Sequence, residues 1–517
     1  MTQLKDIDDQ RIRRVVIVGG GTAGWMTAAA LSKYLETMDV SLTLIESEQI
    51  GTIGVGEATI PAITKFNRAL GLDEDGVLKA TQGTFKLGIE FNNWGEIGER
   101  YFHPFGKYGF DLEGIDFHHF WTFMNFKGEA HSLDDYCVSA KAAYAHKFIR
   151  PSPEHGAILN RLEYAFHFDA VLYAAYLRQF SETRGLVRHE GLVKETVLDP
   201  NTGFVSSIRL QGGKVFEADL FIDCTGFRGV LIEQAMETGY IDWHKYLPVD
   251  RAVAATTKSE GEFRPYTRAT AYDAGWQWQI PLQQRDGNGY VYCSDYIDAD
   301  QAEKDFRSRL KGDLLKEPKH LRFVTGHRKK FWNKNCVAIG LSAGFMEPLE
   351  STSIHMIQSG ISKLIALFPD RNMSSSVSKK YNHLMKDDFT HIRDFLILHY
   401  NATRRDDSPF WNYVRTMDVP DSLQAKMELL IEQGRFFKYD AELFDLTSWL
   451  AVSAGQGFPP KTYNPLVKGL SDNNITQSLA NMRSVIGKTV VAMPTHEDFI
   501  GRFCLSDDMP EHIGETS

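Results

Sequence analysis

Val15-Val16-Ile17-Val18-Gly19-Gly20-Gly21-Thr22-Ala23-Gly24 is the stretch whose reading decides the fold. Its first four residues are apolar and β-branched, the make-up of a short buried strand. The next six fit G-x-G-x-x-G, with glycines at 19, 21 and 24. Trp25-Met26-Thr27-Ala28-Ala29-Ala30-Leu31 follows, rich in helix formers. A second strand, Ser41-Leu42-Thr43-Leu44-Ile45, ends on Glu46. Gly19 permits the tight turn, Gly21 lets backbone approach a pyrophosphate, and Gly24 lets helix pack close on strand. With Thr22 and Ala23 they open a helix whose free N–H groups face phosphate, while Glu46 accepts from ribose hydroxyls. Strand, turn, helix, strand and acid in this order predict a dinucleotide site. An acid at position 46 suits a free 2′-hydroxyl, hence FAD or NAD rather than NADP.

Composition narrows the class. Hydrophobic residues at 43% and charged residues at 24% are ordinary for a soluble globular enzyme. The length of 517 residues suggests about three domains. A net charge of -10 speaks against a nucleic-acid surface. Five scattered cysteines (137, 224, 293, 336 and 504), odd in number and without C-x-x-C spacing, favour free thiols in a reducing compartment. The polar, acidic N-terminus does not read as a signal peptide, and no stretch approaches a membrane span. The expected location is cytoplasmic, away from membranes.

Further along, Gly51-Thr52-Ile53-Gly54-Val55-Gly56-Glu57-Ala58-Thr59-Ile60-Pro61 is a second glycine loop. It suits backbone passing a flat ligand as well as it suits an ordinary surface loop. Residues 62–79 read as helix. From Phe85, the apolar positions 85, 87, 89 and 91 alternate with Lys86, Gly88 and Glu90, which is strand periodicity and puts Lys86 on the opposite, solvated face. Residues 101–126 are dense in aromatics and histidines, among them His103, Phe105, His118 and His119, with no convincing metal-ligand spacing. Residues 164–184 read as helix and 186–210 as strands around a turn. Strands entering glycine turns recur at Gly226 and Gly340, and further strands cover 252–257 and 275–281. From about Ser378 the periodicity is helical, with Asp421 as cap, Gln424 as box partner and Gly434 as stop for a helix over 422–433. Glycine-ended strands spread over more than half the chain predict one discontinuous cofactor domain rather than three separate ones.

The chain resembles the flavin-dependent tryptophan halogenases. Trp276-x-Trp278-x-Ile280-Pro281 is their W-x-W-x-I-P signature. Phe85-Lys86-x-x-Ile89-x-Phe91-x-x-Trp94 matches the segment of their catalytic lysine, and Glu347-Pro348-Leu349-Glu350-Ser351-Thr352 that of their catalytic glutamate and halide loop. Gly54-Val55-Gly56-Glu57-Ala58-Thr59 and Asp223-Cys224-Thr225-Gly226-Phe227-Arg228-Gly229 look like their flavin segments, and similarity runs to Arg404-Arg405-Asp406-Asp407 and Pro409-Phe410-Trp411. The resemblance implies an α/β fold of the FAD-binding, Rossmann-like type (glutathione-reductase-like flavin monooxygenases) with a mostly helical C-terminal part. The division expected is residues 1–380, a discontinuous FAD domain with an inserted substrate-side β-sheet, and 381–517, a helical subdomain covering the substrate site.

The resemblance further implies Lys86 and Glu350 as catalytic residues and Thr352 with Ser353 as the halide site. Gly19, Gly21, Thr22, Ala23, Gly24, Glu46, Gly54, Val55, Gly56, Glu57, Ala58, Gly226, Gly340 and Leu349 would hold the cofactor. It implies FADH2 supplied by a separate NAD(P)H flavin reductase, with O2 and chloride or bromide as co-substrates. Hypohalous acid would cross a tunnel to the substrate, where Lys86 presents the halogen as a hydrogen bond donor or a haloamine and Glu350 takes the ring proton. His103, Phe105 and Trp449 would form the aromatic slot. Two departures stand out: Ser353 replaces a glycine, and 446–453 has one aromatic where the tryptophan enzymes carry a tyrosine pair. The expected substrate is therefore an indole-like aromatic. Two alternatives stand beside this reading: a single-component FAD aromatic hydroxylase, and a non-catalytic FAD-fold binding protein. Whether the chain forms a homodimer stays open.

Overall fold

The computed structural model describes residues 10–48, 56–152, 154, 156–259, 261, 263–440 and 442–507. Gly54 and Val55 lie outside them. A six-stranded sheet forms the base, in the spatial order Trp332–Asn333, Cys336–Ala338, Leu220–Asp223, Arg14–Val18, Ser41–Glu46 and Val187–Glu190. Apart from the edge strand Trp332–Asn333 the pairings are parallel, with Val15 opposite both Leu42 and Leu220. Parallel strands need both faces covered, and Val15, Val16, Ile17 and Val18 are each at most 3% exposed. Strands drawn from residues 14 to 338 meet in this one sheet.

Helix α1 (Thr22–Tyr34) follows the first strand directly. Gly19 takes φ +109, and a Cβ there would lie 2.2 Å from the Cys224 carbonyl oxygen; at Gly24 it would lie 1.8 Å from the Gly19 carbonyl oxygen. Only glycine fits either place.

A seven-stranded sheet runs Lys319–Arg322, Arg251–Lys258, Arg285–Tyr292, Gly275–Pro281, Thr267–Tyr272, Gly88–Asn92 and Arg100–Pro104. A smaller sheet pairs Glu57–Ala58 and Thr84–Lys86 with Ala165–Phe168. Here the periodicity reading of 85–91 needs correction. Lys86 ends one strand, Leu87 breaks the run, and Gly88 begins another strand in a different sheet. Both faces of the first are covered, so Lys86 is fully buried, not solvated.

Other expectations shift in detail. Residues 62–79 split into helices Ala62–Leu70 and Glu74–Ala80 at Gly71, which is left-handed at φ 76. Residues 165–168 are strand, and the helix Ala170–Glu182 begins only after Asp169, whose side chain caps it. Asp421 is not a cap: its helix, Asp421–Met427, follows Pro420 and loosens into a π-turn over Glu428–Glu432 before Gly434. Gln424 bonds Glu428 instead of closing a box.

Three helices carry the rest of the site: α2 (Ser353–Ala366), α3 (Ser375–Asn401) and α4 (Leu446–Gly455). Helix α3 passes unbroken through position 380. Among the described residues no helix is long and apolar enough to cross a membrane.

Candidate functional site

A cavity of about 750 Å³ lies over the ends of the parallel strands, where ligands bind open α/β sheets. Gly19, Gly21, Thr22, Ala23, Glu46, Gly56, Glu57, Ala58, Gly226 and Gly340 all line it. A Cβ on Gly21 would meet nothing within 4 Å, so the backbone is bare towards the cavity. The N-terminus of α1 has no side-chain cap and no acid in its first turn, which leaves its N–H groups and dipole for phosphate. These features fit FAD. Gly24 and Leu349 do not line the cavity: Gly24 packs helix on strand, and Leu349 is 1% exposed in the core.

Glu46 is more constrained than the sequence implies. Arg188 pairs with one of its oxygens, and Trp25 Nε1 donates to the other at 3.3 Å. Arg188 also pairs with Glu48 at 3.0 Å and Glu190 at 2.8 Å. A carboxylate has about four acceptor directions, so ribose hydroxyls can still bond it. The same carboxylate explains Gly20, where a Cβ would lie 1.5 Å from Glu46 Oε2. Glu57 is raised by burial to about 7 and stands on the cavity wall.

The loop 348–353 forms the far wall. Thr352 and Ser353 line the cavity where α2 begins, again with no side-chain cap and no acid in the first turn. A halide there would face backbone N–H groups and the positive end of a 14-residue helix. Ser351 precedes them in a left-handed conformation, φ 57, and is 4% exposed.

Ser351 also links the cavity to the buried residues behind it. It lines the cavity, and its Oγ accepts a hydrogen bond from Lys86 Nζ at 2.7 Å. Lys86 donates a second bond to the Thr59 carbonyl at 3.0 Å. Lys86 itself is not on the cavity wall, so one residue separates amine from cofactor space. Burial pushes its ammonium down to about 7, with Glu350 pulling the other way.

Glu350 is held by two histidines. His103 Nδ1 lies 2.9 and 3.0 Å from its two oxygens, and His399 Nε2 lies 2.7 Å from Oε1. Burial opposes its charge, yet His103 with His399 behind it outweighs burial and holds the carboxyl at about 2. His399 is pushed down by burial, and its Nδ1 meets the Tyr101 hydroxyl at 3.1 Å. Glu350 is thus a carboxylate across the neutral range.

The three aromatic candidates are buried beside Lys86 and Glu350. Phe105 sits 5.2 Å from Lys86 Nζ. His103 contacts Phe395 at 5.7 Å and Phe444 at 6.1 Å, and Trp449 contacts Phe395 at 5.5 Å. His103 therefore contacts both Glu350 and these aromatic rings. Sequence reading missed Ser351, His399, Phe395, Phe444, Arg188 and the Thr59 carbonyl. The available signal for His399 was its spacing: it falls on the buried face of α3, seven residues after Ile392 and three after Leu396.

Asp116, His118 and His119 bring ligand atoms within 4.8 Å of one another, a grouping the spacing of carboxylates and histidines in the sequence does not suggest. Burial holds both imidazoles neutral, with His119 at about 3. Arg435 adds positive charge beside them, and they sit at the positive end of the helix Phe117–Phe126. That field opposes a cation.

Comparison with known proteins places the chain in a family. The family model for tryptophan halogenase matches residues 14–472. A flavin-dependent halogenase from Xanthomonas campestris superposes with a TM-score of 0.93 at 44% identity, covering 97% of this chain and 100% of its own. One from Brevundimonas sp. BAL3 gives 0.92 at 44% identity, covering 95% and 99%. A tryptophan 6-halogenase of Streptomyces albogriseolus is 34% identical over 493 residues, 89% of this chain and 91% of that protein. With the cofactor cavity, the uncapped helix ends and the buried lysine in place, this chain belongs to the tryptophan halogenase family and is a flavin-dependent halogenase, an enzyme that uses FADH2, O2 and halide on an aromatic substrate.

Proposed function

We propose that this enzyme halogenates an indole-like aromatic held among His103, Phe105, Trp449, Phe395 and Phe444, with Lys86 and Glu350 as its catalytic residues. The observation that carries the proposal is Lys86, fully buried and, among the described residues, bonded to the neutral oxygens of Ser351 and Thr59. Two acceptors match the two N–H bonds of a neutral amine and leave its lone pair free. Bound FADH2 supplies, with O2 and halide, the electrophilic halogen as hypohalous acid. The Lys86 amine would take the halogen as the O–halogen bond of hypohalous acid breaks, its N–H proton and the hydroxide leaving as water. It would then pass the halogen to the ring, regaining a proton. Glu350 then takes the proton from the carbon bearing the new bond, a general-base task that a lasting carboxylate can perform. Thr352, Ser353 and the N-terminus of α2 would bind the halide.

The substrate assignment rests on α4. Trp449 is its one aromatic residue, and Asp445, just before it, uses its carboxylate on the N–H groups of Thr447 and Ser448. No tyrosine pair stands in this segment to grip an amino acid's polar end. Free indole should therefore be halogenated with a kcat/KM at least equal to that for tryptophan. A site built to bond the ammonium and carboxylate would reject the analogue lacking them by about 10⁴-fold or more. Competition between the two in one reaction, read by mass spectrometry, checks this; strong preference for tryptophan refutes it.

Flavin-dependent halogenases in general take FADH2 from a separate reductase, and we assign one to this enzyme too. Only one complete G-x-G-x-x-G occurs, and its cavity is the FAD site. Stopped-flow mixing of NADH or NADPH with the FAD-loaded protein should show no rapid bleaching; fast reduction would restore the hydroxylase alternative. We also keep the division into a cofactor part, 1–380, and a helical part, 381–517, with α3 shared between them. All five cysteines are buried and unpaired, which suits the cytoplasm.

A further inference from the structure

We infer that Glu347 works as an un-ionised carboxylic acid, a positioning residue that fastens the Trp276 strand and helix α3 to the loop bearing Glu350 and Ser351. Glu347 is fully buried. Its Oε2 accepts from Trp276 Nε1 at 2.8 Å and from the Tyr400 hydroxyl at 2.6 Å. Its Oε1 is buried with no partner among the described residues, and no lysine, arginine or histidine among them pairs with it. Two donors on one oxygen and none on the other is the pattern of a carbonyl oxygen beside a hydroxyl. A carboxylate so placed would leave a charged oxygen dry and unmatched.

The contrast with Glu350, three residues on, sharpens this. Consecutive residues of α3 hold the two acids: His399 meets Glu350 and Tyr400 meets Glu347. The second partner of Glu350 is His103, whereas that of Glu347 is Trp276, of the W-x-W-x-I-P strand. One acid is matched by imidazoles and the other by neutral donors, and such environments push two carboxyls apart. Burial raises Glu347 to about 7, with Tyr400 and Trp276 drawing it back, while Glu350 stays at about 2. Among the described residues, Tyr400 on α3 faces Glu347 directly, Cys293 after the strand Arg285–Tyr292 acts on Tyr400, and Glu350 with its histidines lies three residues along the chain. Trp94 closes the remaining side, 6.3 Å from Trp276 and 5.4 Å from Tyr400.

Ionising Glu347 would place a second negative charge in the loop of Glu350 and loosen Ser351 from Lys86. Because its folded pKa is raised, its contribution to stability is full below the unfolded value of 4.5 and is lost as pH rises through about 7. Glu347 therefore sets the alkaline limit of halogenation.

The test uses the full-length, FAD-loaded enzyme. Infrared difference spectra of wild type minus Glu347→Gln should show a protonated-carboxyl C=O band at pH 6 that fades as pH rises past 7. Halogenated product per FADH2 oxidised should stay within about twofold in Glu347→Gln and lose its alkaline limb, whereas Glu347→Ala should lower it about tenfold. Should Glu347→Gln fail to fold, Tyr400→Phe removes one donor from the carbonyl oxygen and should move the band to higher frequency. Absence of the band in wild type, or a band that neither variant moves, overturns the inference.

Discussion

Lys86→Ala should abolish halogenated product while leaving oxidation of FADH2 by oxygen near its normal rate. The two activities separate because Lys86 is not on the wall of the cofactor cavity, and Ser351 stands between the two. Losing a positioned halogen carrier removes the gain of an intramolecular reaction, and a fall of about 10³- to 10⁵-fold in product is expected. The variant should bind FAD as before, since no cofactor-lining residue is touched. Product by mass spectrometry and FADH2 consumption by absorbance, in the same reaction, measure both. Regioselective product from Lys86→Ala above about a tenth of wild type would end the assignment.

The pH dependence follows from the same burial. The Lys86 pKa is lowered to about 7, so the amine form grows as pH rises through that value, and halogenation should rise with it. Together with the alkaline limit from Glu347, this gives a bell with its maximum near neutrality.

Glu350→Gln should slow halogenation by about 10²- to 10³-fold, with FADH2 oxidation again unaffected. Glutamine keeps the shape and one hydrogen bond but cannot accept the ring proton. It also takes the carboxylate away from His103 Nδ1, 2.9 Å from it in the wild type. Because Glu350 is held at about 2, its base form persists throughout the range in which the protein is folded, so wild-type activity should show no acid limb from this group. A deuterium isotope effect at the substituted ring position, small in wild type and large in Glu350→Gln, would report the change in the proton-removal step. A variant retaining full activity would show that the proton leaves to another base.

What the sequence determined by itself is the part governed by local chemistry. A β-branched run, glycines at 19, 21 and 24 and a terminal acid fix a strand–turn–helix–strand unit, because each requirement is met within 32 residues of chain. The W-x-W-x-I-P strand and the Glu347–Thr352 loop were equally legible, since matching needs only order and spacing. Tertiary structure decided what depends on distant neighbours. Alternation made Lys86 look solvated; only the pairing of Thr84–Lys86 with Ala165–Phe168, and the arrival of Ser351 from 265 positions away, bury it and lower its pKa. Glu347 and Glu350 are the same residue type in one short motif, and nothing local tells them apart. Helix α3 does so, by offering a histidine to one and a tyrosine to the other, and a carboxyl's charge follows the partners that the fold brings to it.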